Sequence, residues 1–352
     1  MAEDLERRQS REMAVADPQR LDTGRIRWLS RAMEELLVNP YEDMRRSLQN
    51  IRECLLESRN IGRVLVACIA NVQQYIDVVD YAKDFERMGG FQVFPDLLDY
   101  PSSLVRVEAC ALIAELVQNN PHCQRAALLS ARRLMRLLDS DADDEVRCKA
   151  LYALSCMVRQ NRDGYANFEK LGGPAVLRRT LFETSNRRLK TKASFLVASL
   201  CAQEDSFRAK LADSEFARDT VDLLPRVDGD CRQFLLSALL SLATHSVQPL
   251  LSELPSVKEA LVAMLAGFIH EHRDVAQFRE EVQYSTEILE LMKDRSPERA
   301  PLTTSAQPTW KLAPGPGARL RDADCDQERR WKRGRDRDQD RDLDQAPFRA
   351  SG

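Results

Sequence analysis

The sequence lacks the features that mark membrane-spanning and exported proteins. Its 352 residues contain no continuous apolar run of about 18 residues, the minimum for a transmembrane helix. The N-terminal stretch MAEDLERRQSREMAVADPQR has no apolar core of the kind found in signal peptides. The nine cysteines are scattered and form no CxxC pair, which is typical of a reducing compartment. We therefore expect a cytoplasmic protein that does not bind membranes.

Residues for catalysis or metal binding are equally scarce. No GxSxG, HExxH, GxxxxGK[ST] or GxGxxG motif occurs. Of the four histidines, His270 and His272 are two residues apart and so point to different sides of a helix. His122 and His245 are placed at the end of a long helix, where a surface or capping role is expected. The sequence predicts no enzyme, no cofactor and no metal site.

An acidic stretch, DSDADDEVRCKA, imitates part of a calcium-binding loop. Asp139, Asp141 and Asp143 occupy the first, third and fifth loop positions. The sixth position, normally glycine, is Asp144, and the twelfth, normally glutamate, is Ala150. This pattern favours a turn followed by a helix that acidic residues cap.

Strongly basic character and alternating β-strand patterns are also missing. The net charge of −3 argues against a nucleic-acid-binding protein, because such proteins carry clustered positive charge. Aromatic residues make up only 6% of the chain, and no convincing segment alternates apolar and polar residues. The expected fold class is all-α.

What the sequence does contain is a repeat of about 40 residues. The segment Val105–Asn120 (VRVEACALIAELVQNN) matches Val146–Asn161 (VRCKALYALSCMVRQN) in both its Val-Arg start and its Asn end. Leu189–Ala202 and Cys231–Thr244 follow at similar spacing. Because one such copy cannot bury its apolar stripe alone, the pattern predicts stacked copies. We expect an armadillo-like right-handed superhelical solenoid of four repeats, with capping helices at both ends.

Shorter helical patterns precede each long segment, and two of them contain Gly-Gly. FERMGGFQVFPDLL (Phe85–Leu98) resembles FEKLGGPAVLRRTL (Phe168–Leu181). We expect a glycine there because the chain turns sharply after a helix, and glycine tolerates positive φ. The predicted organisation is a flexible N-terminus (1–24), N-terminal capping helices (25–84), four repeats (85–245), C-terminal capping helices (246–296) and a disordered Pro-rich and Arg/Asp-rich tail (297–352).

The long helices lack the Trp and Asn ladder with which peptide-binding armadillo proteins hold an extended chain. The Trp positions are occupied by Ala111, Tyr152, Phe195 and Ser237, and the Asn positions by Glu115, Cys156, Ser199 and Ser241. A folded partner is therefore favoured over an extended peptide. The groove edge is basic at Arg147, Lys149, Arg159, Lys190 and Lys192, which suits an acidic surface or, alternatively, consists of ordinary solvated helix starts.

The ordered repeats resemble the cytosolic heat-shock protein 70 binding proteins, the Fes-type nucleotide exchange factors. RIRWLSRAM (Arg25–Met33) is similar to the N-terminal RxxWLxxAM segment of that family, and the repeats from VRCKALYALSCMVR to LKTKASFLVASL resemble its repeats. The resemblance implies a monomeric co-chaperone that grips one lobe of the chaperone's ATPase domain and promotes ADP release. The partner-binding residues expected on the concave face are Glu115, Asn119, Arg147, Lys149, Tyr152, Arg159, Lys190, Lys192, Phe195 and Ser199.

A second interpretation remains open at the level of the sequence. The chain is then an armadillo adaptor or scaffold that binds peptides or a different folded partner. Acceleration of ADP release from a chaperone ATPase domain separates the two interpretations.

Overall fold

A computed structural model describes residues 39–57, 61–212, 214–252 and 255–293, without the side chains of residues 214 and 245–257. The predicted flexible N-terminus 1–24, the first part of the predicted N-terminal capping helices and the predicted tail 297–352 lie outside the described residues. The chain divides into two compact units, Met1–Ala193 and Ser194–Gly352. Each unit is described by itself below.

The first unit consists of helices joined by short turns. Its elements are α1 (Pro40–Leu56), α2 (Gly62–Gln73), α3 (Val79–Arg87), a 3₁₀ turn (Gly90–Val93), α4 (Phe94–Leu98), α5 (Ser103–Val117), α6 (Pro121–Ala127), a 3₁₀ turn (Leu128–Ser130), α7 (Ala131–Ser140), α8 (Asp144–Val158), α9 (Arg162–Lys170), α10 (Gly173–Glu183) and the first part of α11 (Arg187–Gln203).

The second unit also consists of helices joined by short turns. It contains the rest of α11, then α12 (Asp205–Leu211), α13 (Ser214–Leu223), a 3₁₀ turn (Leu224–Arg226), α14 (Gly229–Ser252), α15 (Pro255–His272), a 3₁₀ turn (Ala276–Phe278) and α16 (Arg279–Lys293). Within the described ranges neither unit has a β-strand, which confirms the all-α prediction.

The helices follow the order short, intermediate, long. This order recurs as α3–α4–α5, α6–α7–α8, α9–α10–α11 and α12–α13–α14, at the positions where the sequence predicts repeats. The last long helix was expected to end at Thr244, but α14 continues to Ser252. No glycine lies between residues 245 and 252 at which the helix would end.

The core of the first unit is built around α5 and α8, which pack against each other. Both helices are buried over most of their circumference; in α5, for example, Leu112, Ile113 and Leu116 are fully buried. A helix that is apolar on all sides requires neighbours on several sides. The intermediate helix α7 is amphipathic instead and buries only one face, with Leu134 and Leu138 at its centre.

The Gly-Gly pairs have two different structural roles. The first glycine, Gly172, adopts a left-handed φ of 78° after α9, as the sequence predicts. The second, Gly173, lies under the ring of Phe168, and a Cβ atom there would be 2.5 Å from that ring. The first copy repeats the arrangement, since Gly89 has a φ of 73° and a Cβ at Gly90 would lie 2.3 Å from an aromatic ring. The pair therefore both reverses the chain and admits an aromatic side chain.

The ends of α5 and α8 share a second corner motif. Asn119 and Gln160 adopt left-handed φ values of 55° and 54°. The next residues, Asn120 and Asn161, are the N-caps of α6 and α9. In the second corner Asn161 Oδ1 accepts a hydrogen bond from Gly164 N at 3.2 Å. The retained Asn that reveals the repeat in the sequence is thus a helix cap.

Candidate interface on the long helices of the first unit

The long helices of the first unit present a common stripe of side chains, here called the ladder face. Residues spaced by four, three and four positions lie on one side of a helix. The ladder face comprises Val64, Cys68 and Asn71 on α2; Leu104, Glu108, Ala111 and Glu115 on α5; Glu145, Lys149, Tyr152 and Cys156 on α8; and Arg188 and Lys192 on α11.

Contacts between neighbouring helices fix the alignment of these positions. Arg188 Nη1 lies 2.8 Å from Glu145 Oε2, and one turn further the Lys192 ammonium lies 5.1 Å from the centre of the Tyr152 ring. The second contact is a cation–π interaction, which is favourable because the ring face carries negative electrostatic potential. The predicted site residues Tyr152 and Lys192 are therefore brought together by the fold, and both are half-buried.

Lys149 is not the accessible groove-edge residue that the sequence indicated. It is 6% exposed, and the equivalent residue on α5, Glu108, is 5% exposed. Its positive charge lies close enough to the buried Cys110 to oppose the effect of burial, which raises the pKa of that thiol. Because the ammonium group is held inside the unit, reversing its charge would disturb folding as well as association.

The Arg147 side chain binds residues of its own repeat. Its Nε donates to the carbonyl of Leu138 at 3.0 Å, and Nη1 lies 3.2 Å from Asp144 Oδ1. Arg106 has the same position on α5 and donates to the carbonyls of Tyr100 and Pro101. These arginines hold the turn before the long helix, a role that the Val-Arg start of the repeat could have suggested.

The remaining predicted residues of the first unit lie along the long helices or at their ends. Glu115 is half-buried on α5, and Arg159 is half-buried just after α8. Asn119 is exposed, and its left-handed φ places it at the corner after α5. Lys190 is half-buried near the start of α11. The structure thus places Glu115 on the ladder face and Asn119 at the end of the same helix.

Two predicted residues belong to the second unit. Phe195 packs edge-on against Phe234, with ring centres 5.3 Å apart. The Ser199 hydroxyl accepts a hydrogen bond from Gln203 Nε2 at 3.2 Å. Part of the Phe195 ring is therefore committed to the core of that unit.

The acidic turn between α7 and α8 is a structural corner, as the departures from the calcium-loop pattern indicated. Asp141 forms a two-pronged ion pair with Arg106, at 2.9 and 3.0 Å. Asp143 caps α8 by accepting a hydrogen bond from Glu145 N at 2.9 Å, and this bond lowers the pKa of the Asp143 carboxyl. Asp139 pairs with Arg179 on α10 at 2.7 Å. Three neighbouring carboxylates therefore serve three separate contacts.

His122 and the buried thiol of Cys148 contact neighbouring parts of the fold and are not grouped with other potential metal ligands among the described residues. His122 is in the first turn of α6, not at the end of a long helix as expected, because α6 begins at Pro121; its Nε2 lies 2.9 Å from Glu86 Oε2. Burial raises the pKa of the Cys148 thiol to about 11, so it stays protonated at neutral pH. Among the described residues no cluster of His, Cys, Asp and Glu is arranged to hold a metal ion. Nor is any helix in those ranges both long and apolar enough to cross a bilayer.

The comparison with family models identifies the central part of the chain. Residues 81–217 match the model described as the SIL1/FES1/HPBP1 C-terminal domain. This part of the chain, somewhat over a third of its length, is thus similar to that domain. The resemblance to the heat-shock protein 70 binding proteins that the repeats predict is therefore confirmed.

Individual relatives in this family are moderately similar. Hsp70-binding protein 1 of Macaca fascicularis is 28% identical over 250 residues, which cover 66% of this chain and 66% of the relative. The chain thus spans about two thirds of the length of that relative. The Hsp70 nucleotide exchange factor FES1 of Mycosarcoma maydis is 31% identical over 141 residues, or 40% of this chain and 36% of the relative.

Solved structures with the same fold include designed armadillo repeat proteins. One of them superposes with a TM-score of 0.57 at 18% identity, covering 71% of this chain and 99% of the design. Another, computationally designed for modular peptide recognition, gives a TM-score of 0.56 at 17% identity and covers 70% of this chain and 99% of the design. At these identities the likeness shows the fold, and it confirms the armadillo prediction.

Proposed function

We propose that this protein is a co-chaperone that binds the ATPase domain of a heat-shock protein 70 class chaperone and promotes ADP release. The observation that carries the proposal is the match of residues 81–217 to the SIL1/FES1/HPBP1 C-terminal domain. It is supported by the names of two groups of relatives, Hsp70-binding protein 1 and Hsp70 nucleotide exchange factor FES1.

The mechanism needs no side chain of this protein at the nucleotide. A scaffold that binds the open form of a two-lobed ATPase more tightly than the closed form weakens nucleotide binding by the same factor. A coupling free energy of about 1–3 kcal/mol corresponds to roughly a 5–150-fold change in affinity. The all-round burial of α5 and α8 supports the stiffness that such a wedge requires.

The ladder face and the ends of its helices are the proposed contact surface. Tyr152 and Lys192 are at its centre, with Glu115 and Arg159 beside them. Arg188 adds a cation whose side chain is 65% exposed. We propose that these cations orient an acidic partner surface, mainly through the rate and direction of encounter. Asn119 and Lys190 are assigned to the same surface as further proposals. Arg147 and Lys149 are proposed to support it from inside the first unit. Phe195 and Ser199 are proposed as separate partner contacts of the second unit.

The same proposal includes a cytoplasmic monomer that acts by binding, without catalytic chemistry, nucleic acid or membrane. The net charge of −3 supports a protein partner over nucleic acid. Sedimentation of the full chain and fractionation of cells that express it test these two points directly.

The decisive experiment measures ADP release. A chaperone ATPase domain is loaded with fluorescent ADP and mixed with excess unlabelled ATP, with and without the full-length protein. We expect the release rate to rise with protein concentration and then saturate. An unchanged release rate, or binding of extended peptides without any effect on release, contradicts the proposal and favours the adaptor interpretation.

A matched pair of variants tests the ladder face within that experiment. Lys192→Glu reverses a charge at the centre of the face, whereas Lys83→Glu reverses one on α3, where Lys83 pairs with Asp80 at 3.2 Å. Both lysines are half-exposed. We expect Lys192→Glu to lower the affinity for the ATPase domain at low ionic strength and Lys83→Glu to leave it unchanged.

A further inference from the structure

The first-turn positions of the ladder face change from apolar to charged along the first unit. On α2 and α5 they hold Val64 and Leu104, which are 47% and 48% exposed. On α8 and α11 the same positions hold Glu145 and Arg188, which form an ion pair. Single exposed apolar residues are common on protein surfaces, but two at equivalent positions of adjacent helices form a patch.

Val64 and Leu104 lie on helices that begin side by side. A Cβ atom at Gly62 would lie 3.6 Å from Ser102 Cβ and 3.5 Å from Val105 Cγ2. The start of α2 therefore touches the start of α5, and Val64 and Leu104 occupy equivalent positions in the first turns of these two adjacent helices. Their neighbours Leu65 and Val105 are fully buried, so the two exposed side chains lie on the side away from the core.

We propose that Val64 and Leu104 form an apolar anchor for the same partner that Arg188 and Lys192 of α11 orient. This inference rests on the proposed function, and it specifies the partner surface further. Neighbouring helices lie about 8–10 Å apart, so the step from α5 to α11 spans roughly 20 Å. The matching ATPase-domain surface carries an exposed apolar side chain about 20 Å from an acidic patch.

The apolar end and the charged end of this surface affect different rate constants of binding. Desolvating apolar side chains strengthens the complex after it has formed and so lowers its dissociation rate. Exposed charges such as Arg188 act mainly on the association rate and are screened by salt. The arrangement along the first unit thus sets the direction in which the partner lies, because the reverse orientation would place carboxylates against Val64 and Leu104.

The test compares Val64→Ser/Leu104→Ser with a matched control, Leu129→Ser. Leu129 is 46% exposed and lies in the 3₁₀ turn between α6 and α7, off the ladder face. Affinity for the chaperone ATPase domain and ADP release are measured for the wild type and both variants, together with melting temperature. We expect the double variant to bind about tenfold more weakly, through faster dissociation at any salt concentration, with the control unchanged.

Each other outcome overturns the inference. If the wild type neither binds nor accelerates release, the proposed function fails and the anchor fails with it. If the wild type is active and the double variant binds normally, or if Leu129→Ser weakens binding equally, the anchor alone fails. If the double variant melts well below the control, the two side chains are covered by the chain itself.

Discussion

The two units satisfy their buried charges in different ways. In the first unit, Arg106 and Asp141 neutralise each other in a two-pronged pair whose side chains are 16% and 5% exposed. In the second unit, Glu281 on α16 is 5% exposed, and its Oε1 has no hydrogen-bond partner among the described residues. The difference shows that similar helical packing can stabilise charged carboxylates in one unit and disfavour the charge of a buried carboxylate in the other.

Burial raises the pKa of the Glu281 carboxyl, and two kinds of neighbour modify that effect. Arg232 and His272 lower the pKa, while Asp230 and Glu280 raise it. The guanidinium of Arg232 is already used, since it donates to the carbonyl of Val227 and lies 5.2 Å from the centre of the Phe268 ring. By contrast, burial alone would raise the pKa of Asp99 in the first unit, but hydrogen bonds from two arginines outweigh it and hold that pKa below its usual value.

The largest expected effect on stability comes from breaking the ion pair between Arg106 and Asp141 in the first unit. Asp141→Ala leaves Arg106 largely buried without its carboxylate and should lower the free energy of unfolding by about 3 kcal/mol. Urea denaturation followed by circular dichroism, with hydrogen exchange to assign the loss to the first unit, measures it. Arg106→Met/Asp141→Leu removes both charges and should recover much of the loss; if it does not, the packing of the corner matters more than the pair.

The next effect separates the two glycines of one corner. Gly173→Ala forces a methyl group against the Phe168 ring and should cost about 1–3 kcal/mol of stability. Gly172→Ala has nothing within 4 Å of the new Cβ and should cost only about 1 kcal/mol, through its left-handed φ. Thermal melts of the two variants compare them, and a larger loss for Gly172→Ala would show that backbone strain dominates the corner.

In the second unit, removing a buried charge should raise stability, whereas in the first unit it lowers stability. Because the pKa of Glu281 is raised on folding, its contribution to stability is full below the usual glutamate pKa and is lost as pH rises through the folded-state pKa. Glu281→Gln should therefore raise stability at pH 7 by about 1 kcal/mol and flatten the pH dependence. Denaturation at several pH values checks this; a wild-type stability that increases from pH 4 to pH 7 in this unit would contradict the assignment.

The smallest expected effect concerns the corners after α5 and α8. Left-handed backbone is tolerated better by Asn than by Gln. Gln160→Gly should therefore stabilise the first unit by up to about 1 kcal/mol, and Asn119→Gly by less. Differential scanning calorimetry resolves the difference; equal shifts would mean that the side chain at residue 160 compensates for the strain.

Much of the fold could be predicted from the sequence because its signals are periodic. The apolar spacing in Val146–Asn161, the Asp143 cap and the positive φ at Gly172 follow from local rules, and the structure agrees with each. The second glycine of the pair was missed, since its reason is the ring of Phe168, which only tertiary packing brings there.

The candidate interface was less predictable. Tyr152 and Lys192 could be placed on one stripe by alignment of the copies. The burial of Lys149 could not, because an exposed and a buried lysine look the same at a given helical position, and only the packing of α5 against α8 distinguishes them. The exposure of Leu104 was missed for the same reason, since its segment reads as uniformly apolar.

Ion pairs between successive intermediate helices restrict how this chain can be re-engineered. Asp99 follows α4 and pairs with Arg133 and Arg136 of α7, and Asp139 near the end of α7 pairs with Arg179 of α10. The second copy therefore supplies arginines to the first copy and a carboxylate to the third. Deleting the second copy would therefore bring the carboxylate of Asp99 to the junction with Arg179, so these ion pairs favour joining the copies in the same order and direction.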